Sequence, residues 1–278
     1  MRDKPTLQSN PWDALRQFTG ARIALGRAGN SMPTTPLLAF NLAHAQARDA
    51  VHQPLDVSSL LQALQSAGFE ALRVRSAAKD RLEYLRRPDL GRRLADDSAE
   101  QLRACAAEAA VSERGRDGEA APRWDVVFVV ADGLSSQAAD RHAVPLLQCV
   151  RKRLTDWRIA PVVVATQSRV ALGDDVGELL HARLVVMLIG ERPGLSSPDS
   201  LGLYLTHAPR RGTSDAQRNC ISNVRPEGLG YDAAAFKLCH LLTEARRLKL
   251  TGVQLKDDSD ALLTRIADPG ALPAPTSD

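Results

Sequence analysis

Leu184-Val185-Val186-Met187-Leu188-Ile189-Gly190-Glu191-Arg192-Pro193-Gly194-Leu195 decides the fold. Its unbroken apolar run, opening with two adjacent valines after Leu184, reads as a strand buried on both faces. Gly190 ends the run, and Glu191, Arg192, Pro193 and Gly194 bring the chemistry of a tight, exposed loop. In an open parallel sheet the ligand crevice lies outside the carboxyl ends of the strands. Glu191 and Arg192 therefore stand where a ligand would be met. The plain alternative is that both only solvate a turn.

Outward from this stretch the chain alternates strand and helix. Asp125 to Ala131 is a buried strand ending at Asp132-Gly133-Leu134-Ser135-Ser136, where Ser135 or Ser136 caps a helix to about Arg153. Ala160 to Ala165 is the next strand, with Arg169-Val170 soon after it, and Asp174 to Ala182 is a helix. Leu203 to Thr206 reads as a further strand and Ala233 to Leu250 as a long terminal helix. Short turns between these elements imply a parallel sheet with right-handed crossovers. Ala71 to Ser76 alternates with period two, as a half-buried strand does. Asp96 to Ala110 is a helix, and Ser112 to Pro122 a polar loop.

The beginning of the chain has another character. Residues 1–10 are polar and expected to be mobile; Asn10 and Pro11 open a short helix to Phe18. Ala21 to Ser31 reads as a basic turn. Thr35-Pro36 opens a helix to about Val51 that carries His44 and His52, and residues 57–66 form another, closed by Gly68. The fold expected is α/β: a parallel sheet with helices on both faces over residues 69–278, preceded by a small helical region, residues 1–68.

Composition narrows the function. With 278 residues and a net charge of +3, the chain is too nearly neutral to imply nucleic acid by charge alone. Residues 73–93 carry a local basic excess centred on Tyr84-Leu85-Arg86-Arg87-Pro88-Asp89-Leu90-Gly91-Arg92-Arg93-Leu94. Phosphate binding, a protein interface and a solvated face all fit it, with arginine favouring interface or internal carboxylate pairing. Cys105, Cys149, Cys220 and Cys239 show no paired spacing and no signal peptide precedes them, so free thiols in a cytoplasm are expected. No apolar run approaches the roughly 18 residues that a membrane span needs.

No dinucleotide, P-loop, nucleophile-elbow or zinc-protease motif is present. Asp140-Arg141-His142-Ala143-Val144-Pro145 approaches a cobalt-histidine pattern, but Pro145 replaces the required glycine and the segment lies inside an expected helix. What remains is a rim of expected strand-end loops: Asp132 to Ser136, Arg169-Val170, Gly190 to Leu195, and Asn219-Cys220-Ile221-Ser222-Asn223. The rim offers no convincing acid–base pair. Cys220 is its one thiol, with His207 thirteen residues away in sequence. Such a rim suits a large polar ligand bearing amides and a phosphate.

Five motifs in order, ARIALGRAG, YLRRPDLGRRL, VVADGLSS, IGERPGL with SPDSL, and NCISNVRPEG, resemble the small (light) chain of ethanolamine ammonia-lyase over roughly residues 20–256. The resemblance implies a hetero-oligomeric, adenosylcobalamin-dependent lyase that converts ethanolamine to acetaldehyde and ammonia. It implies a large (heavy) chain that holds the substrate, and a small chain whose Rossmann-like domain, a parallel sheet with helices on both faces, covers the cobalamin from the other side. It implies cobalamin contacts at Val170, Glu191 and Cys220, none of them catalytic and none a metal ligand. Gly133, Ser135, Arg192 and Ser222 are secondary candidates for the nucleotide tail. Members packaged in microcompartments often begin with a longer extension than precedes Pro11 here, so a free cytoplasmic enzyme is expected. Two readings of other classes compete: a stand-alone nucleotide-binding hydrolase using Ser135 or Cys220, and a basic RNA-binding adaptor using residues 73–93.

Overall fold

The computed structural model describes residues 11–112 and 124–259. The expected mobile segment 1–10 and residues 113–122 of the expected polar loop lie outside them. In chain order the elements are α1 (Thr34–His52), α2 (Val57–Ser66), β1 (Ala71–Arg75), α3 (Arg81–Arg86), α4 (Asp96–Ser112), β2 (Trp124–Ala131), α5 (Ser136–Arg151), β3 (Val162–Thr166), α6 (Leu172–Leu179), β4 (Ala182–Gly190), β5 (Leu201–His207), β6 (Asn219–Val224) and α7 (Tyr231–Leu248). A 3-10 turn at Pro11–Phe18 precedes them.

The strands form one sheet in the order β1-β3-β2-β4-β5-β6. The first four are parallel. β4–β5 and β5–β6 are antiparallel. The architecture is therefore α/β with a mixed sheet: parallel pairing, as expected, holds for four strands only, and the expected Rossmann-like, all-parallel sheet is not what forms. The cause is the connection across residues 191–200. It carries no helix and is too short for a crossover, so β5 must fold back beside β4. A second difference is Asn219 to Asn223, expected as a loop and found as the edge strand β6.

The core is layered by strand alternation. Val126, Phe128 and Val130 of β2, with Leu184, Val186 and Leu188 of β4, pack in one cluster with residues of α2, α5 and α7. The intervening Val127, Val129, Val185 and Met187 pack on the other face with residues of α4 and α6. Each leucine or valine buried this way contributes about 1.5–3 kcal/mol. From β2 the chain passes through α5 to β3 on one face, then returns through α6 past β2 to β4 on the other. Opposite faces for opposite directions are what a single crossover hand requires. The carboxyl ends of β1, β2, β3 and β4 thus gather on one rim.

Local signals explain several boundaries. Asp56 accepts from Ser59 N at 3.0 Å and starts α2, and Gly68, at φ +78°, ends it in the left-handed region. Asp80 caps α3 through Glu83 N at 2.8 Å, while Glu83 accepts from Lys79 N at 2.7 Å. Among the described residues no helix is long and apolar enough to cross a membrane.

Candidate functional site

Three strand ends are stitched together on the rim. Asp132 follows β2 and is buried. It accepts from Gln167 N at 2.8 Å and Ser168 N at 3.0 Å, tying β2 to the turn after β3. Arg81 donates to Asp132 at 3.3 Å and to Gly133 O at 2.8 Å. Burial pushes the Asp132 carboxyl up, against the pull of Arg81 and the amides. Gly133, at φ +54°, packs on β4; a Cβ there would stand 2.2 Å from Gly190 O. Leu134 N donates to the same oxygen at 2.9 Å.

Glu191 is the first residue past β4, and its N–H donates to Ser200 O at 2.9 Å. Its Oε2 accepts from the Ser200 hydroxyl and from Asn223 N. The side chain crosses over Gly202, where a Cβ would come within 2.9 Å of Oε1. Among the described residues Oε1 accepts no hydrogen bond. Glu191 is thus held by one oxygen with the other left as an acceptor.

Cys220 lies on β6 directly opposite Tyr204 of β5. It is exposed, as is Ser222, and Tyr204 is half-buried. Desolvation and the Glu191 charge raise the Cys220 thiol above its ordinary range, against a lowering hydrogen bond from Tyr204. His207 points to the opposite face of β5 from Tyr204, because side chains alternate along a strand. It cannot activate Cys220, and the thiol is no activated nucleophile.

Val170 stands in the turn before α6 and packs against the face shared by α4 and α6. Val170, Glu191 and Arg192 line one open cleft with Tyr84, Arg169 and Tyr204. The structure so brings Val170 and Glu191 together, with Cys220 on the adjoining open face beyond Tyr204. Arg169 belongs to the expected Arg169-Val170 rim loop, whereas Tyr84 was not among the expected rim residues. Tyr84 is fully buried, donates to Ser168 O at 3.1 Å, and its ring lies between the guanidinium groups of Arg81 (4.8 Å) and Arg169 (4.4 Å). The signal for it was a lone aromatic inside the basic motif.

Ser135, a secondary candidate for the nucleotide tail and the nucleophile of the competing hydrolase reading, is turned inward. It is buried, and its hydroxyl donates to Pro198 O at 2.7 Å, fastening the 191–200 connection. His142 is a core residue: it is buried, its Nδ1 is 2.8 Å from the Tyr231 hydroxyl, and burial holds its pKa below the usual value. In the basic stretch, Arg75 pairs with Asp97 at 2.8 Å and Arg87 with Asp89 at 2.7 Å, while Arg86, Arg92 and Arg93 are exposed.

Comparison with known proteins places this site in context. Residues 9–256 match the family described as Ethanolamine ammonia-lyase light chain (EutC). The chain is 55% identical over 262 residues to the ethanolamine ammonia-lyase small subunit of Azotobacter vinelandii, covering 94% of this chain and 93% of that one. It is 55% identical over 261 residues to the protein of the same name from Ralstonia nicotianae, covering 93% and 92%. The likeness to that of Xanthomonas campestris pv. campestris is 57% over 251 residues, covering 90% and 88%.

Proposed function

The chain belongs to the ethanolamine ammonia-lyase light-chain family, and from that premise we propose that it is the subunit that covers adenosylcobalamin against the heavy chain. One observation carries the reading. The rim presents a cleft and an open sheet face with donors and acceptors for a ligand, yet no acid–base pair. The cleft is open to solvent; it can supply one wall for a corrin, with a partner supplying the rest. When bound, the cofactor supplies the radical chemistry that converts ethanolamine to acetaldehyde and ammonia. The residues present fit such a ligand. The Oε1 of Glu191 is available to amide N–H groups, and the buried Nε of Arg169 has no partner.

In this reading Val170, Glu191 and Cys220 contact the cofactor. Val170 is an apolar wall, and Glu191 orients ring amides through Oε1. Cys220 is a small polarizable contact beside Tyr204. None moves a proton in the reaction. The heavy chain is the partner, and the exposed Phe18, Leu38 and Leu42 favour cover by another protein at the N-terminal end. That end adjoins the site: Arg22 donates to Leu195 O at 3.1 Å and to Ser196 Oγ at 3.3 Å. The same proposal includes a cytoplasmic location, no nucleic-acid partner, and the division of the chain at residue 68, before which every described element is helical.

The test is co-expression with the heavy chain and an assay of ethanolamine deamination with and without adenosylcobalamin. The purified single chain is expected to be inactive and to bind cobalamin weakly. Turnover by the single chain would refute the reading.

A further inference from the structure

The motif Tyr84 to Leu94 has no role in the site described so far beyond the Tyr84 ring, and Arg169 has no carboxylate partner among the described residues. The two facts belong together. Arg169 lies in the turn that also holds Val170, and its backbone N–H donates to Gly91 O at 2.8 Å. Its guanidinium stacks on the buried Tyr84 ring at 4.4 Å. Gly91 makes the stack possible: a Cβ there would lie 2.9 Å from the Tyr84 ring and 3.0 Å from Arg169 Cγ. The basic motif is thus a cradle that fixes the plane of one arginine from another part of the chain.

That arginine faces the cleft with its capacity unspent. Its Nε is buried and has no hydrogen-bond partner. Among the described residues it makes no ion pair, in contrast to Arg81 on the other side of the ring, which bonds Asp132 at 3.3 Å. A guanidinium cannot shed its charge by deprotonation, and a buried donor is costly to leave unmade. Arg192, on the same cleft, is also without an ion pair among the described residues. The one carboxylate of the wall, Glu191, already gives Oε2 to Ser200 and Asn223. The wall therefore carries an excess of positive charge and lacks an anion. A planar fork held rigid by stacking suits a phosphate better than a point charge does.

We propose that Arg169, held by Tyr84 and Gly91, is a binding residue for the phosphodiester in the nucleotide tail of the cofactor. This rests on the cobalamin reading above and assigns one part of the ligand to one residue. Glu191 then takes ring amides by accepting, and Arg169 takes the tail by donating, so the two fix the orientation of the corrin between them.

The experiment uses the complex with the heavy chain and two probes that are not turned over. Cyanocobalamin carries the phosphodiester; cyanocobinamide lacks it together with the nucleotide. Each is titrated by absorbance into the wild type, Arg169→Gln, Arg169→Lys and Gly91→Ala, with thermal melting as the check of folding. Arg169→Gln is expected to weaken cyanocobalamin binding about ten- to a hundredfold and to leave cyanocobinamide binding unchanged. Arg169→Lys, which keeps the charge and loses the fork, is expected to recover part of the loss. Gly91→Ala should show the same selective loss to a smaller degree. Equal weakening of both probes would assign Arg169 to a ring amide and overturn the phosphate assignment, and no change for either would overturn any ligand role. Failure of the wild-type complex to bind cyanocobalamin at all would overturn the cofactor reading beneath it, a result separate from these.

Discussion

The two halves of the sheet differ in what covers them. Strands β1 to β4 are parallel, and β2, β3 and β4 lie between two helix layers with their alternating residues buried on both faces, while Arg73 and Arg75 of the edge strand β1 are exposed. Strands β5 and β6 are antiparallel. Leu203, Leu205 and Ile221 face a helix layer on one side, while Tyr204, Cys220 and Ser222 are partly or fully exposed on the other. The candidate site begins where the second helix layer stops. A sheet covered throughout would hold a ligand only at its rim; here the rim continues into an open sheet face, which can serve a ligand larger than the cleft beside Glu191.

That contrast can be broken at the seam. Gly190 ends β4, and a Cβ on it would stand 1.9 Å from Ser135 O and 2.6 Å from Asp132 O, both backbone atoms. Backbone cannot yield as a side chain can. Gly190→Ala is expected to cost more than about 4 kcal/mol and to leave little folded protein, read by thermal or urea unfolding. In Gly173→Ala the nearest atom met is Sδ of the flexible Met187, at 2.6 Å, so the covered half should tolerate that change far better.

The next test concerns the bolt between the halves. Asp174 of α6 and Arg218, just before β6, form a buried pair joined by two hydrogen bonds of 2.7 Å. Arg218 also donates to Thr206 of β5 at 2.8 Å. Removing Asp174 takes the buried carboxylate from Arg218, whose remaining charged partner among the described residues is the exposed Asp215 at 3.5 Å. Asp174→Ala is expected to cost about 3–5 kcal/mol, and the double replacement Asp174→Leu with Arg218→Met much less. Denaturant titration of the three proteins separates the outcomes; a harmless single replacement would mean that the bolt is not what holds β5 and β6 to the covered half.

A smaller effect belongs to the covered side. Burial against α2, with the Asp56 charge adding to it, pushes the Asp140 carboxyl of α5 up to about 6. A carboxylate whose folded pKa is raised destabilises the fold above that pKa and not below its unfolded value near 3.8. Asp140→Asn should therefore raise stability at pH 7.5 by about 1 kcal/mol, after allowance for partial exposure. The gain should fade as pH falls from 6 towards 4. Melting curves across that range are the check, and a gain that grows on acidification would reverse the sign argued here.

The sequence was most legible where one physical signal dominated. The valine-rich runs at β2, β3 and β4 could only be buried strands, and α2 carried both its cap Asp56 and its terminating Gly68. It was least legible where the open face begins. Cys220, Ser222 and Asn223 are exposed on β6, so they read as a loop although the backbone is a strand. The reversal at β5 was readable in principle from the helix-free connection across residues 191–200. The strand-and-helix rhythm before it argued the other way. Likewise Asp80 with Glu83 announced the start of α3, hidden inside a stretch read for its charge. Of the site, Glu191 and Val170 were expected from their places after strand ends, and they share a cleft. Tyr84 and Arg169 meet across a long sequence separation, and no local pattern encodes that. Ser135 was a ligand candidate from its place in a Gly- and Ser-rich loop after β2 and from the family resemblance, yet its hydroxyl is spent on Pro198.

The central claim is that the open face and its Glu191 hold the cofactor and take no part in the chemistry. The most direct measurement is a cofactor titration of the complex with the heavy chain, comparing wild type with Glu191→Gln at saturating ethanolamine. The replacement keeps the size and removes the charge on an acceptor whose Oε1 is unoccupied by the protein. The apparent KM for adenosylcobalamin is expected to rise about ten- to a hundredfold, with kcat at saturating cofactor little changed and assembly intact. An unchanged cofactor KM with a collapsed kcat would contradict the account and make Glu191 a catalytic residue.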